Sequence, residues 1–516
     1  MKALRGGLRA NTNVRLGGLW GFSPPAAMPQ KRLQNQQQQQ QEQQRQRTGQ
    51  RQSPTCVPAA GRPMGIASGD STINSVRCSS SATTNSNNES SSSNGNSSSS
   101  TSHSLAGGDL LVEKRRGPLG GPPVYTVTLN RPRRLNALSL PLLQQLQQLL
   151  LSIEQKEAKN ALIILRGEGK QAFCAGGDVR AIAASSSESA ISFFSLEYSF
   201  DLYLAQQQGP PVVALWDGIV FGGGVGLTVH GGLRVCTENT LFSMPEVHIG
   251  LFPDAGMTQA FADVRPRGLG LFLALTGERL RAADLIQTGF ATHYLPSAHL
   301  PEAIARLQEG PPPRADPKSW ASRVLEEVRK GAPTGAPATP PEQERLLQPQ
   351  FLQFLERYFA NAESLQSLVT ALEENSNCCS WCRKTLSEMQ RACPLSLAVS
   401  FKAIRDRENA TAAATAARTT TSARGVLEGT PVPGQQKQQE HQQQRLQLLR
   451  EALQVELVLM GNMAAVSCAN FREGVRALLI DKDKKPQWQP NSLKGVSEDA
   501  VSQLFQWKAP LPLARL

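Results

Sequence analysis

At 516 residues the chain has room for two or three domains, but composition narrows that estimate. Residues 1–108 carry a glutamine run at 36–41, a Ser/Asn tract at 79–104 and few large apolar side chains, too little to offset the entropy of ordering. The net charge of +12 is uneven: eleven Lys/Arg against Glu42, Asp70 and Glu89 precede residue 109, leaving +4 for the rest. A part so mildly basic excludes a strong nucleic-acid signature and fits an anionic small ligand or simple solubility.

The first 41 residues hold Lys2, Arg5, Arg9, Arg15, Lys31 and Arg32, interleaved with leucine and with no acid. That pattern predicts a mitochondrial presequence, with a plain basic tail as the alternative. No apolar core follows the first charges as a secretory signal requires, and no apolar run is long enough to span a bilayer. Nine cysteines in this length do not make a disulfide framework. Cys378, Cys379 and Cys382 include one CxxC, but no second ligand pair lies nearby, so helix-packing thiols are expected and no metal.

The foldable part is expected to begin near Asp109. Residues 109–112 and 124–129 read as strands joined by a Gly/Pro-rich hairpin at 116–123. Ser139 stands at N-cap distance before Pro141 and a leucine-rich helix over 142–153. Residues 161–166 (ALIILR) suit a strand buried on both faces. A glycine turn through Gly176, Gly177 and Asp178 and a short helix at 179–184 follow. Strand, glycine turn and helix then repeat: a strand at 211–215, the turn Gly222, Gly223 and Gly224, and a helix. Further strands are expected at 233–236 and near Phe242. Strands alternating with helices predict an α/β fold with parallel pairing.

Past that core, residues 269–276 read as an apolar helix and 284–289 as a short one ending at glycine. Residues 311–341 read as a Pro/Gly-rich connection, and 342–407 as the start of a helical C-terminal region. A second low-complexity insert, 408–444, is expected to interrupt it before helix resumes over 445–460, within 445–516. The Gln- and Ser-rich tracts are expected to be disordered.

The chemistry concentrates in the two glycine turns and in Glu246 and Asp254 beyond them. Backbone N–H groups at a strand-to-helix turn converge on one oxygen, and two such donors make an oxyanion hole. Neither turn matches GxGxxG or GxxxxGK[ST], which disfavours a nucleotide phosphate loop.

Asn130-Arg-Pro, Asn136-Ala-Leu, Phe173-Cys-Ala-Gly-Gly-Asp178, Gly222-Gly-Gly and Met244-Pro-Glu246 together resemble the crotonase (enoyl-CoA hydratase/isomerase) superfamily. More narrowly, His230-Gly, Ile249-Gly-Leu-Phe-Pro-Asp254, Leu275-Thr-Gly277 and the stretch Phe471 to Asp483 resemble its 3-hydroxyisobutyryl-CoA hydrolase branch. The resemblance covers most of 109–300 and roughly 445–505. It implies a crotonase-like spiral of repeated ββα units over 109–310, a helical C-terminal region, an acyl-CoA substrate and no separate cofactor. Carried over, the oxyanion donors are the N–H groups of Gly177 and Gly223. Glu246 and Asp254 are the catalytic acids, and Glu197 is a further substrate-contacting acid. The implied reaction is hydrolysis of 3-hydroxyisobutyryl-CoA, or a similar short hydroxyacyl-CoA, in valine catabolism in the mitochondrial matrix.

A carboxylate in such a site either activates water or attacks the thioester directly, and the sequence leaves both routes open. Hydratases of the superfamily carry a second glutamate where this chain has Gly226, which points away from hydration. Two other readings stay open: a crotonase-fold structural subunit of a mitochondrial assembly such as the ribosome, and a hydratase or isomerase. His230 and His248 are expected to pack rather than react. Arg133 and Arg134 are expected either to meet CoA phosphates or only to aid solubility. The segment after Asp254, including Met257, departs from the family's glycine-rich pattern.

Overall fold

A computed structural model describes residues 101–104, 108–117, 120–331, 340–341, 345–427, 434–466 and 469–506. The presequence expected at 1–41 and nearly all of the tract at 42–108 lie outside them. The exception is β1 (Thr101–Ser104), an edge strand at the end of the tract expected to be disordered. It pairs antiparallel with β2 (Leu110–Arg116), which pairs antiparallel with β3 (Pro123–Leu129). Ser139 then caps α1 (Leu140–Glu157), its side chain accepting from the Leu142 N–H.

From here a unit repeats. Strand β4 (Leu162–Gly167) joins the large sheet, β5 (Ala172–Cys174) joins a small second sheet, and helices α2 (Val179–Ala183) and α3 (Ser187–Gln206) follow. The next turn supplies β6 (Val212–Trp216), β7 (Ile219–Phe221) and α4 (Gly223–Val229). A third supplies β8 (Leu233–Cys236) and β9 (Leu241–Ser243), followed by a 3-10 turn at Glu246–Ile249. Each turn thus places one strand in each sheet. The large sheet runs β1-β2-β3-β4-β6-β8-β10, parallel from β3 onward, and the small one runs β5-β7-β9, parallel throughout. This is a spiral of ββα units.

Alternation along the central strands explains their continuous apolar sequence. Val124, Leu162, Ile164, Val213 and Leu215 face one side, and Tyr125, Val127, Ile163, Leu165, Ala214 and Trp216 the other. The chain continues through α5 (Met257–Asp263), α6 (Leu269–Thr276), α7 (Ala282–Thr288) and β10 (His293–Tyr294). Helices α8 (Leu300–Gln308) and α9 (Pro317–Gly331) then cover the first face, burying Leu300, Ala303, Leu307, Ala321, Val324, Leu325 and Val328.

Helix α9 corrects the expectation of a bare connection over 311–341. Its flanks are rich in Pro and Gly, but its interior keeps apolar residues at helical spacing, and the Asp316 carboxylate accepts from the Ser319 N–H at 2.8 Å.

The C-terminal region comprises α10 (Pro349–Leu355), α11 (Leu365–Glu374), α12 (Ser380–Arg391), α13 (Pro394–Leu427), α14 (Gly434–Met460), α15 (Ala469–Val475) and α16 (Glu498–Leu504). Within the insert expected over 408–444, residues 408–427 continue α13 and 434–444 begin α14, while 428–433 lie outside the described residues. Alanine favours helix, and Thr411 ties the segment to α5 by hydrogen bonds to Gln259 and Asp263. Among the described residues no single helix is long and apolar enough to cross a membrane; one bent pair, 438–464 with 469–480, passes that test jointly. Its Leu453, Leu457, Met460, Phe471 and Val475 are fully buried in the core.

Candidate active site

The small parallel sheet builds the site. Because β5, β7 and β9 run the same way, their carboxyl ends meet at one edge, the usual place for a ligand in parallel sheets. The residues leaving those ends are Gly176 and Gly177, Gly222 and Gly223, and Met244-Pro-Glu246. Gly176 takes φ +89° and Gly222 φ +51°, turns that favour glycine. A side chain on Gly176 would stand 2.9 Å from the Phe221 carbonyl and 3.2 Å from the Gly223 nitrogen, so the two turns touch.

Gly177 forms a parallel bridge with Leu138, whose N–H and C=O bond Gly176 and Asp178. That pairing leaves the Gly177 N–H pointing away from Leu138. Gly223 opens α4, where first-turn N–H groups have no partner within the helix. Both donors sit at the same edge.

Glu246 and Glu197 lie against these turns, and three further buried acids, Asp254, Asp201 and Glu456, cluster with them. Glu246 is 7% exposed, with Oε1 against Gly222 and Oε2 without a hydrogen-bond partner among the described residues. Asp254 accepts a hydrogen bond from the Tyr198 hydroxyl at 2.8 Å. Glu197, on α3, presses its carboxyl on Gly223 so closely that a side chain there would collide with Oε1. One turn further along α3, Asp201 is fully buried with neither oxygen hydrogen-bonded among the described residues. Glu456, on α14, is fully buried but well satisfied, accepting from the Gly256 N–H (2.6 Å), the Thr258 N–H (3.1 Å) and the Thr258 hydroxyl (2.5 Å).

Burial dominates their acidity. Desolvation, then the Asp254 charge, raises Glu246 and Glu197 well above the ordinary carboxylate range. Asp201 is raised well above it by desolvation, then by Glu197, Asp254 and Glu456. Desolvation lifts Asp254 to about 6, with the Tyr198 hydrogen bond pulling the other way, and Glu456 to about 7.

Gly226 faces this cluster. A β-carbon there would lie 2.5 Å from that of Ala255 and 3.1 Å from an Asp201 oxygen, so the space a glutamate would need is filled. Sequence reasoning missed Asp201 and Glu456. Their signal was an acid on an otherwise apolar helical stretch: Glu197 and Asp201 lie four apart among Phe193, Phe194, Tyr198 and Phe200, and Glu456 lies between Val455 and Leu457.

Other singled-out residues hold the frame. His230 lies 2.7 Å through Nε2 from the Ala255 carbonyl; burial pushes its pKa down to about 4, so it is neutral and donates. His248 Nε2 lies 3.0 Å from the Thr276 carbonyl. Asn136 is buried at φ +56°, donating to the Glu168 and Ala172 carbonyls and accepting from the Arg131 N–H. Arg134 pairs with Asp178 at 2.8 Å, while Arg133 is exposed. Cys379 caps α12 by accepting from the Cys382 N–H, and Met257 is fully buried in the core.

The enoyl-CoA hydratase/isomerase family model matches residues 124–432 and 427–505. The chain is 33% identical over 392 residues to 3-hydroxyisobutyryl-CoA hydrolase 1 of Arabidopsis thaliana, covering 74% of this chain and 89% of that one. It is 35% identical over 406 residues to the mitochondrial 3-hydroxyisobutyryl-CoA hydrolase of Danio rerio, covering 78% and 90%. The chain belongs to the enoyl-CoA hydratase/isomerase superfamily, in its 3-hydroxyisobutyryl-CoA hydrolase branch.

Solved structures agree on the fold. A carnitinyl-CoA dehydratase from Mycobacterium thermoresistibile superposes with a TM-score of 0.59 at 25% identity, covering 78% of this chain and 98% of that one. An enoyl-CoA hydratase from Rhodobacter sphaeroides 2.4.1 gives 0.53 at 27%, covering 79% and 98%.

Proposed function

We propose that this protein hydrolyses 3-hydroxyisobutyryl-CoA, or a similar short hydroxyacyl-CoA, to the free acid and CoA. One observation carries the reading: two glycine N–H donors and the Glu246 carboxyl leave the same edge of one parallel sheet, while Gly226 provides no second carboxylate for hydration.

In this reading the thioester oxygen lies between the N–H groups of Gly177 and Gly223, which stabilise the charge it gains as the carbonyl carbon becomes tetrahedral. Glu246, raised in basicity by burial, takes a proton from the attacking water. The C–S bond then breaks, and the proton held by Glu246 passes to the CoA sulfur as it leaves, which restores the carboxylate. Direct attack by Glu246, giving a mixed anhydride that water opens, uses the same groups. Asp254 binds the substrate hydroxyl, and Glu197 backs Gly223. The chemistry calls for no cofactor beyond the CoA of the substrate.

Relatives bearing "mitochondrial" in their names and the basic, acid-free first 41 residues support a place in the mitochondrion; on this reading the enzyme works in the matrix and serves valine breakdown. The test is free-thiol release from 3-hydroxyisobutyryl-CoA by the purified full chain beside Glu246→Gln. The variant is expected to lose at least about 100-fold in kcat. A wild-type rate no higher than the variant's would overturn the assignment.

A further inference from the structure

The mechanism above leaves two of the five buried carboxylates unused, Asp201 and Glu456, and Glu456 comes from the far end of the chain. We infer that Glu456 is a positioning residue for Asp254: from helix α14 it fixes the backbone of the loop that presents the hydroxyl-binding acid. The inference rests on the proposed role of Asp254.

The loop is an unfavourable one to hold. Ala255 takes φ +58° and Gly256 φ +75°, two successive left-handed residues of which only one is glycine. Gly256 offers no side chain to cap α5, and the N–H groups of Gly256 and Thr258 are buried. Glu456 supplies the acceptor for both and for the Thr258 hydroxyl, across about 200 residues of sequence. On the other side, His230 donates to the Ala255 carbonyl. The turn is thus clamped at Ala255 and Gly256, the two residues after Asp254. Among the described residues the side-chain partner of the Asp254 carboxyl is the Tyr198 hydroxyl, which donates to Oδ2, and its other hydrogen bond is to backbone, so its aim depends on that backbone. Gly256 also seats against α14, where a β-carbon would lie 2.6 Å from a Leu449 methyl and 2.5 Å from His230 Nε2. A buried carboxylate with every bond directed at one turn is costly unless that turn must be held.

The experiment compares kcat and KM of the full chain on 3-hydroxyisobutyryl-CoA and on isobutyryl-CoA, which lacks the hydroxyl. Wild type, Asp254→Asn, Glu456→Ala, Glu456→Gln and the Asp254→Asn/Glu456→Ala double variant are measured, each with a thermal melt. Glu456→Ala is expected to lower kcat/KM on the hydroxyacyl substrate about 10- to 100-fold, as a misplaced group does. It should erode the preference for the hydroxyacyl over the plain acyl substrate as Asp254→Asn does. Glu456→Gln, which keeps one acceptor, should fall between. The double variant should lose no more than about threefold beyond Asp254→Asn, because both act through one carboxylate.

An unchanged preference in a folded Glu456→Ala, or fully additive losses in the double variant, would overturn the inference while leaving the hydrolase assignment standing. No thiol release by wild type would sink both. If Glu456→Ala does not fold, Thr258→Val decides: a reduced preference supports positioning, and wild-type preference assigns Glu456 to stability alone.

Discussion

Single carboxylates set how this site responds to pH. Glu246 must be ionised to accept a proton, and burial followed by the Asp254 charge raises its pKa. Its acid limb in kcat is therefore expected above the ordinary glutamate range, merged with the titration of Asp254 at about 6. A pH–rate profile from 5 to 9 checks this; a limb near 4.5 would contradict it. Stability carries the opposite sign. Carboxyls whose folded pKa exceeds the unfolded value near 4 favour the fold when protonated, and that contribution disappears as pH rises through the folded values, about 6 for Asp254 and about 7 for Glu456. The melting temperature should thus fall between pH 5 and 8. Asp201, unpartnered among the described residues, is the simplest place to relieve it. Asp201→Asn is expected to melt roughly 2 °C above wild type at pH 8, the gap closing only as pH falls below the unfolded value near 4, by scanning fluorimetry.

At the scale of elements, what was legible in the sequence is what is local. The two glycine turns, the Pro-Glu246 step and the strands that feed them show as short patterns, because positive φ and buried strands each demand particular residues nearby. What stayed hidden is held by partners far along the chain. Helix α9 was masked by its Pro-rich flanks. Residues 408–427 continue α13 because Arg407, bonded to Gln259 and to the Leu448 carbonyl, and Thr411 dock its neighbouring turns on α5 and α14. The contact between α3 and α4 carries a further prediction. Restoring the hydratase glutamate by Gly226→Glu would drive its β-carbon into Ala255, the residue beside Asp254. Overpacking of this kind costs about 1–3 kcal/mol. The variant should melt lower, lose thiol release and gain no crotonyl-CoA hydration, read by loss of the enoyl absorbance. Measurable hydration would show that the missing carboxylate alone separates the two chemistries.

On the scale of the whole molecule, the proposed site takes groups from Gly177 to Asp254 and its positioning acid from residue 456, so turnover is expected to need the C-terminal helices and nothing before residue 101. Where the chain can begin is a sharper matter. Composition placed the start of the fold near Asp109, yet Thr101–Ser104 pair with Leu111–Lys114 along the rim of the large sheet. A chain of 109–516 would keep β2 paired with β3 but bare its outer edge over Leu111–Lys114, and an open strand edge invites association between copies. A chain of 101–516 keeps it covered. Both are expected to show kcat within about twofold of the full chain, since no site group is lost. The shorter one should aggregate at lower concentration in light scattering. Equal solubility of the two would remove β1 from any protective role, and a fall in kcat for 101–516 would show that the Gln- and Ser-rich tracts reach the active site after all.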